Sequence, residues 1–259
     1  MILMVEILLL GLIFTLTTIM ALAGVGAAFI VIPLLGEFGY EISLAMALGL
    51  LFNTISTGFS SIRHIKEKKV EFYPALPIIV ASILFTPVGS YFSSLVPREE
   101  LKLLFGIALI LISLNIFRGI LRMNKHHEKE RAVEMSKREI LLALGIGAII
   151  GFLAGLLGIG GGAIILPFLL KIGMETKRAA STTSFIVVFS SFFGFYSKYL
   201  VLGLSIPIEI LVGGIIATAL GAILGSYLMH YKLNRKQIRM VIAFMVMSVG
   251  LKMVITYFL

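Results

Sequence analysis

Cysteine is absent from this chain, and so is aspartate: all 13 acidic side chains are glutamate. Without cysteine there can be no disulfide, no thiolate metal site and no cysteine nucleophile. Charge as a whole is scarce, at 14% of the 259 residues, where an ordinary soluble domain carries about 25%. Apolar residues take its place: 59% of the chain is hydrophobic and the mean hydropathy is +1.08. A water-soluble fold could not hide that much apolar surface. Apolar stretches of about 20 residues recur along nearly the whole length, each able to cross a hydrocarbon layer about 30 Å thick as a helix. The bilayer is therefore the expected solvent.

The net charge of +9 does not point to nucleic acid, because the basic residues sit in short segments between apolar runs, the pattern that orients membrane proteins. The first residues, Met1 to Gly11, have no basic n-region and no small-residue cleavage site, so they read as a retained membrane element. Apolar runs and their breaks predict helical elements over about 4–35, 41–62, 73–95, 99–121, 138–170, 176–199, 205–229 and 234–257. Residues 122–137 (RMNKHHEKERAVEMSK) form the one long polar stretch and read as a linker between two membrane units, 1–121 and 138–259.

Those units resemble each other. ALAGVGAAFIVIPLL (Ala21–Leu35) lies over GLLGIGGGAIILPFL (Gly155–Leu169), pairing Gly24 with Gly158, Gly26 with Gly160 and Pro33 with Pro167. The same offset pairs Gly39 with Gly173, Glu41 with Glu175, Ala45 with Ala179 and Ser56 with Ser190. Glycine, proline and glutamate paired in fixed order mark an internal repeat. The first element of each unit is too long for one comfortable crossing and holds a glycine cluster followed by a proline. Read as a broken or re-entrant helix, it flips the second unit relative to the first. All lysines and arginines except Arg98, Lys102, Lys198 and Lys252 then fall on the cytoplasmic side. A single-span reading would instead put Lys171, Lys177, Arg178 and the basic cluster at 232–239 outside with Arg98 and Lys102. Cytoplasmic excess of Lys and Arg favours the flipped arrangement. The expected fold is all-α and polytopic, with two inverted repeats, each a Gly-interrupted helix followed by three spanning helices. The linker is then cytoplasmic in a cell-membrane protein, and both termini are extracellular.

Breaking a helix in mid-membrane frees backbone N–H and C=O groups that can bind a solute, a common transporter plan. Gly158, Gly160, Gly161 and Gly162 are the best candidates, because backbone without Cβ atoms can approach a ligand closely. N–H groups at the following helix start favour an anion. Gly24 and Gly26 are their partners in the first unit, with Pro33 and Pro167 shaping the breaks as hinges. Glycines in membranes also serve plain helix packing, the simpler reading of the same residues. The fit of Gly158, Gly160 and Ala163 to a dinucleotide fingerprint fails for want of a βαβ context, and no cofactor is expected. Polar residues follow each break, among them Asn53, Thr54, Ser56, Thr57, Ser60 and Ser61, then Ser181, Thr182, Thr183, Ser184, Ser190 and Ser191. Asn53, Ser56, Thr182, Thr183 and Ser184 are the candidate donors to an oxyanion, although hydroxyls in helices often satisfy themselves on the preceding turn. Every glutamate falls near a span end or in a loop, which disfavours a cation pump with a buried carboxylate relay. Lys198 reads as an interfacial, snorkelling lysine, with attraction of an anion at a pore mouth as the alternative; Arg63 and His64 read as topology signals, with an anion vestibule as the alternative; and Glu41 and Glu175 read as caps of the helices that follow them. His126, His127 and His230 lack metal-ligand spacing.

The glycine-rich GLLGIGGGAIILPFLL (Gly155–Leu170), its duplicate Ala21–Leu35, A-x-x-T-S from Ala180 to Ser184, and two four-element units joined by a basic loop resemble the TauE/SafE family of sulfite-exporter-like proteins, also called the four-toluene-sulfonate uptake permease family. The resemblance covers essentially the whole chain. It implies transport, often outward, of small anions such as sulfite, sulfonates, sulfoacetate or oxalate. The first unit departs from the pattern, with Ala27 and Ala28 where Gly161 and Gly162 stand in the second. The expected function is a secondary anion transporter, with a passive channel, a non-transporting membrane partner and an intramembrane enzyme as the alternatives. Substrate identity and any coupling ion, H+ or Na+, are not legible in the sequence.

Overall fold

The computed structural model describes residues 2–22, 26–122, 135–228 and 235–258. Most of the expected linker, together with His126, His127 and His230, lies outside them. The described residues form helices and no strand: α1 (Ile2–Leu22), α2 (Ala28–Glu37), α3 (Ile42–Lys66), α4 (Phe72–Leu95), α5 (Arg98–Arg122), α6 (Lys137–Leu157), α7 (Gly162–Lys171), α8 (Thr176–Leu202), α9 (Ile208–Leu228) and α10 (Arg235–Phe258). Six of these helices are long and apolar enough to cross a bilayer. The long elements expected at 4–35 and 138–170 are each two helices, α1 with α2 and α6 with α7. Large apolar side chains such as Leu84, Leu111, Leu141 and Phe244 face outward, while Asn53, Ser82, Thr86, Ser181, Ser190 and Ser191 are buried. Such a distribution suits hydrocarbon surroundings, where apolar surface costs nothing and polar groups do.

The second break can be followed residue by residue. Gly158 ends α6 in the left-handed region (φ 73), its N–H bonded to the Ala154 carbonyl at 3.0 Å, and Gly161 (φ 81) opens α7. Side chains rarely adopt this backbone, so glycine is required at both places. Proline comes later: Pro33 is buried within α2, past the point where the chain interrupts, and Pro167 holds the matching place in α7. Neither sits at the interruption itself. Each removes one helical donor inside its half-helix, leaving the carbonyl four residues earlier without that partner.

The turns after α2 and α7 match closely. Gly39 (φ 86) and Gly173 (φ 91) are both left-handed. Glu41 and Glu175 have nearly the same backbone angles, and each accepts, through its carbonyl, the N–H of Ala45 or Ala179 at 2.8 Å. Both stand at the helix start, as expected of caps, but their carboxylates make no capping bond there. Glu41 pairs with Arg98 at 3.1 Å and Glu175 with Arg178 at 3.8 Å.

Helix packing has a regular sense. On α3 and α8, Leu50 meets Gly194 and Asn53 meets Ser191, while Glu71, beyond the end of α3, pairs with Arg178 near the start of α8. Numbers rise on one helix as they fall on the other, so the pair is antiparallel. Helices α5 and α10 are antiparallel too, with Gly106 on Gly250 and the Ser113 hydroxyl donating to the Ala243 carbonyl at 2.6 Å. By contrast α4 and α6 run parallel, Gly147, Gly151 and Gly155 lying on the backbone of Ile78, Ser82 and Thr86. Parallel also are α1 and α9, where Gly213, Gly221 and Gly225 meet Leu10, Phe14 and Thr18. Glycines four apart form a flat stripe that lets two backbones touch, and here the packing role is the real one.

Candidate functional site

Helices α3 and α8 cross where the two interruptions meet. The Asn53 side chain, buried on α3, donates from Nδ2 to the Ser191 hydroxyl at 2.8 Å. It is wedged between Gly26 and Gly160. A Cβ on Gly26 would collide with Asn53 Oδ1, and one on Gly160 with Asn53 Nδ2 and Ser191 Oγ. The Ser190 hydroxyl donates to the Gly160 carbonyl at 2.9 Å, tying α8 to the α6–α7 interruption. Asn53 Oδ1 is buried, with no hydrogen-bond partner among the described residues.

The start of α7 adds donors. Its first N–H groups have no intrahelical acceptor, and the helix dipole makes that end positive. Gly162 there faces Val187 and Thr183, and the Thr183 hydroxyl is buried with no partner among the described residues. Of the expected site residues, Gly26, Asn53 and Gly160 come together, with Thr183 near the α7 start. Ser56 is buried on α3, the helix that carries Asn53. Gly24 lies outside the described residues. Gly158 packs against Met46 and Gly161 against Ile150, so their glycine character serves the turn and its packing. Ser184 bonds back to the Ala180 carbonyl at 3.2 Å, the ordinary self-satisfaction of a helical hydroxyl. Thr182 is buried away from the crossing, where its hydroxyl accepts the Glu71 N–H at 3.0 Å beside the Glu71–Arg178 ion pair. Ser190 and Ser191 belong to the same polar run, and the register of α8 along α3, together with its rotation, selects them over Thr182 and Ser184.

Lys198 departs most from expectation. Rather than snorkelling to an interface, it is fully buried, and its ammonium donates to Ser93 Oγ at 2.8 Å and to the Leu156 carbonyl at 3.3 Å. Helix α8 runs on to Leu202, so Lys198 is inside the helix and not at its end.

Two charged regions flank the crossing. Beside α2, a cavity of about 980 Å³ is lined by Pro33, Tyr40, Glu41, Arg98, Lys102 and Lys252 among others. Its cations are balanced locally, Arg98 by Glu41, Lys102 by Glu99 at 2.9 Å and Lys252 by Glu37 at 2.7 Å. Burial, with smaller contributions from the Glu6 and Glu209 carboxylates, pushes the Tyr40 hydroxyl up. Past the other end of α3, hydrogen bonds from Lys69 and Arg63 hold Glu67 down to about 2.

Long apolar helices packed around a small polar crossing define a polytopic helical membrane protein. Its sequence matches the profile described as Sulfite exporter TauE/SafE over residues 8–253. The chain belongs to the TauE/SafE family, a family of membrane transporters and not of enzymes. It is similar to the probable membrane transporter protein YunE of Bacillus subtilis, 28% identical over 194 residues that cover 67% of this chain and 70% of that protein. A probable membrane transporter protein of Methanocaldococcus jannaschii is 31% identical over 188 residues, 68% of this chain and 66% of that one. The probable membrane transporter protein YjnA of Bacillus subtilis is 25% identical over 251 residues, 91% and 94% of the two chains. No solved structure matches.

Proposed function

We propose that this protein is a secondary exporter of small anions such as sulfite, sulfonates or other organic anions, and that its units 1–121 and 138–259 are inverted repeats joined by a cytoplasmic linker at 122–137. The observation that carries the reading is Asn53 held between Gly26 and Gly160, where the two interrupted helices meet. Half-helix starts facing one crossing offer N–H groups and the positive ends of two dipoles to a negative solute. Asn53, Ser191 and Thr183 supply side-chain donors, and the described glutamates lie near helix ends or in loops. For the repeat, exchanging the units about an axis in the membrane plane turns α3 into α8 with its direction reversed. Antiparallel α3–α8 and α5–α10, with parallel α1–α9 and α4–α6, fit that operation. On this reading both termini are extracellular and the anion is released by alternating access.

Purified protein in lipid vesicles is expected to carry sulfite or methanesulfonate saturably. Asn53→Leu should lower that flux about tenfold or more, since hydrogen bonds to charged groups contribute about 1.5–3 kcal/mol each. A wild-type protein that moves neither anion, or a folded Asn53→Leu variant with full flux, rejects the assignment. Orientation has its own test. The native chain has no thiol background, and Glu37 and Lys171, at matching exposed positions, can be made cysteine one at a time. An impermeant maleimide should label Glu37→Cys from outside intact cells and Lys171→Cys only from the cytoplasmic side; labelling of both from one side removes the inversion.

A further inference from the structure

A lysine ammonium inside a membrane bundle normally stands beside a carboxylate or opens to water. Lys198 does neither: it is fully buried, and its described partners are a serine hydroxyl and a backbone carbonyl. That carbonyl, of Leu156, belongs to the last turn of α6, whose dipole supplies about half a negative charge. Among the described residues no carboxylate pairs with the ammonium, in an interior where an unpaired charge is expensive.

Its position along α8 is equally telling. Ser191, Gly194 and Lys198 recur at helical spacing and share one face. Ser191 meets Asn53 at the crossing; Gly194 packs on Leu50 and lies near the Ala154 carbonyl; Lys198 reaches Leu156. One face of α8 thus runs from the polar crossing along the final turn of α6, just ahead of Gly158. Two helical turns, about 10 Å at 1.5 Å per residue, separate the lysine from Ser191. An ammonium carries three donors, and the described residues engage two of them. At the offset that pairs Ser56 with Ser190, the matching residue in the first unit is His64, whose Nδ1 is buried with no partner among the described residues.

We propose that Lys198 is the resident positive charge of the anion path, receiving the solute on the α8 C-terminal side of the Asn53–Ser191 pair and selecting for negative charge. This rests on the anion-transport reading above. In the present conformation the α6 C-terminus and Ser93 hold the ammonium; movement at the Gly158–Gly161 interruption would withdraw the Leu156 carbonyl and let an oxyanion take its place. Charge-assisted hydrogen bonds to an oxyanion are stronger than those to neutral acceptors, so the exchange favours the anion.

The test uses full-length protein in vesicles with sulfite as the probe. Lys198→Met should raise KM for sulfite about tenfold or more, and Lys198→Arg, which keeps the charge, should recover most of the loss. Ser93→Ala removes a competing acceptor while leaving the amine, and should lower KM about threefold; a purely structural lysine would leave KM unmoved. A folded Lys198→Met protein with KM within about twofold of wild type overturns the proposal while anion transport itself stands. If Lys198→Met does not fold, Ser93→Ala decides: an unchanged KM overturns it and a lowered one supports it. Absence of sulfite flux in the wild type overturns the transport reading and this inference together.

Discussion

Replacing Gly160 with valine is expected to abolish anion flux while the protein still folds and inserts. A Cβ at this position would overlap Asn53 Nδ2 and Ser191 Oγ, both side-chain atoms, and approach Val187 Cγ1 at 3.2 Å. Side-chain ends can swing aside where backbone cannot. Gly160 also lacks the left-handed φ of Gly158 and Gly161, so a side chain there adds no strain of that kind. The cost therefore falls on the site: Asn53 is pushed off Ser191 and the space between the two interruptions is filled. Losing one or two hydrogen bonds to a charged solute, at about 1.5–3 kcal/mol each, together with steric exclusion, predicts a fall of about a hundredfold or more. Normal detergent-solution elution with flux at the level of empty vesicles is the expected result. Full flux in a folded Gly160→Val protein would falsify the placement of the solute at this crossing.

Gly151→Leu should do the opposite, destroying the fold and never reaching the question of transport. Its Cβ would fall under 3.0 Å from the Ser82 carbonyl oxygen, Cα and carbonyl carbon, all backbone of α4. Nothing there can rotate away. Helices α4 and α6 would have to separate along a contact that Gly147 and Gly155 make in the same manner, at the backbone of Ile78 and Thr86. Ordinary overpacking costs about 1–3 kcal/mol; a backbone contact repeated over three turns should exceed that, because close approach is the main attraction between helices in lipid. Loss of monodisperse protein and a strongly lowered thermal midpoint are expected. Gly145→Leu is the control: no atom lies within 4 Å of its Cβ position, and it should behave as wild type. Equal tolerance of Gly151→Leu and Gly145→Leu would remove the packing argument.

These two glycines show why part of the candidate site was legible and part was not. Repeat matching singled out Gly26 and Gly160 together, and the amide of Asn53 is unusual enough in an apolar span to be noticed without a structure. Choosing among hydroxyls was harder. Thr182, Ser184, Ser190 and Ser191 lie on one helix with similar chemistry, and which of them meets Asn53 depends on how α8 is rotated about its axis and on its register along α3. Contacts of Gly194 with Leu50 and of Lys198 with Leu156 set that rotation. Lys198 was misread for a related reason: a single cation near the end of an apolar run looks the same in hydropathy whether it reaches water or turns inward. The spacing of Ser191, Gly194 and Lys198 carried the signal, visible once one of the three had been placed.

By itself, the order of residues determined that this chain lives in lipid, that its long elements are helices, and that the stretch expected at 138–170 turns at Gly158 and Gly161. Local chemistry suffices for that: apolar length meets bilayer thickness, and only glycine readily accepts the left-handed turn at Gly158 and Gly161. Tertiary structure alone decided which glycines are for packing and which border the polar crossing, which serine faces Asn53, and that Lys198 points inward. Those outcomes depend on contacts between segments distant in the chain, 138 residues apart for Asn53 and Ser191 and 105 for Lys198 and Ser93, where the rotation and register of one helix against another choose the neighbours of each side chain.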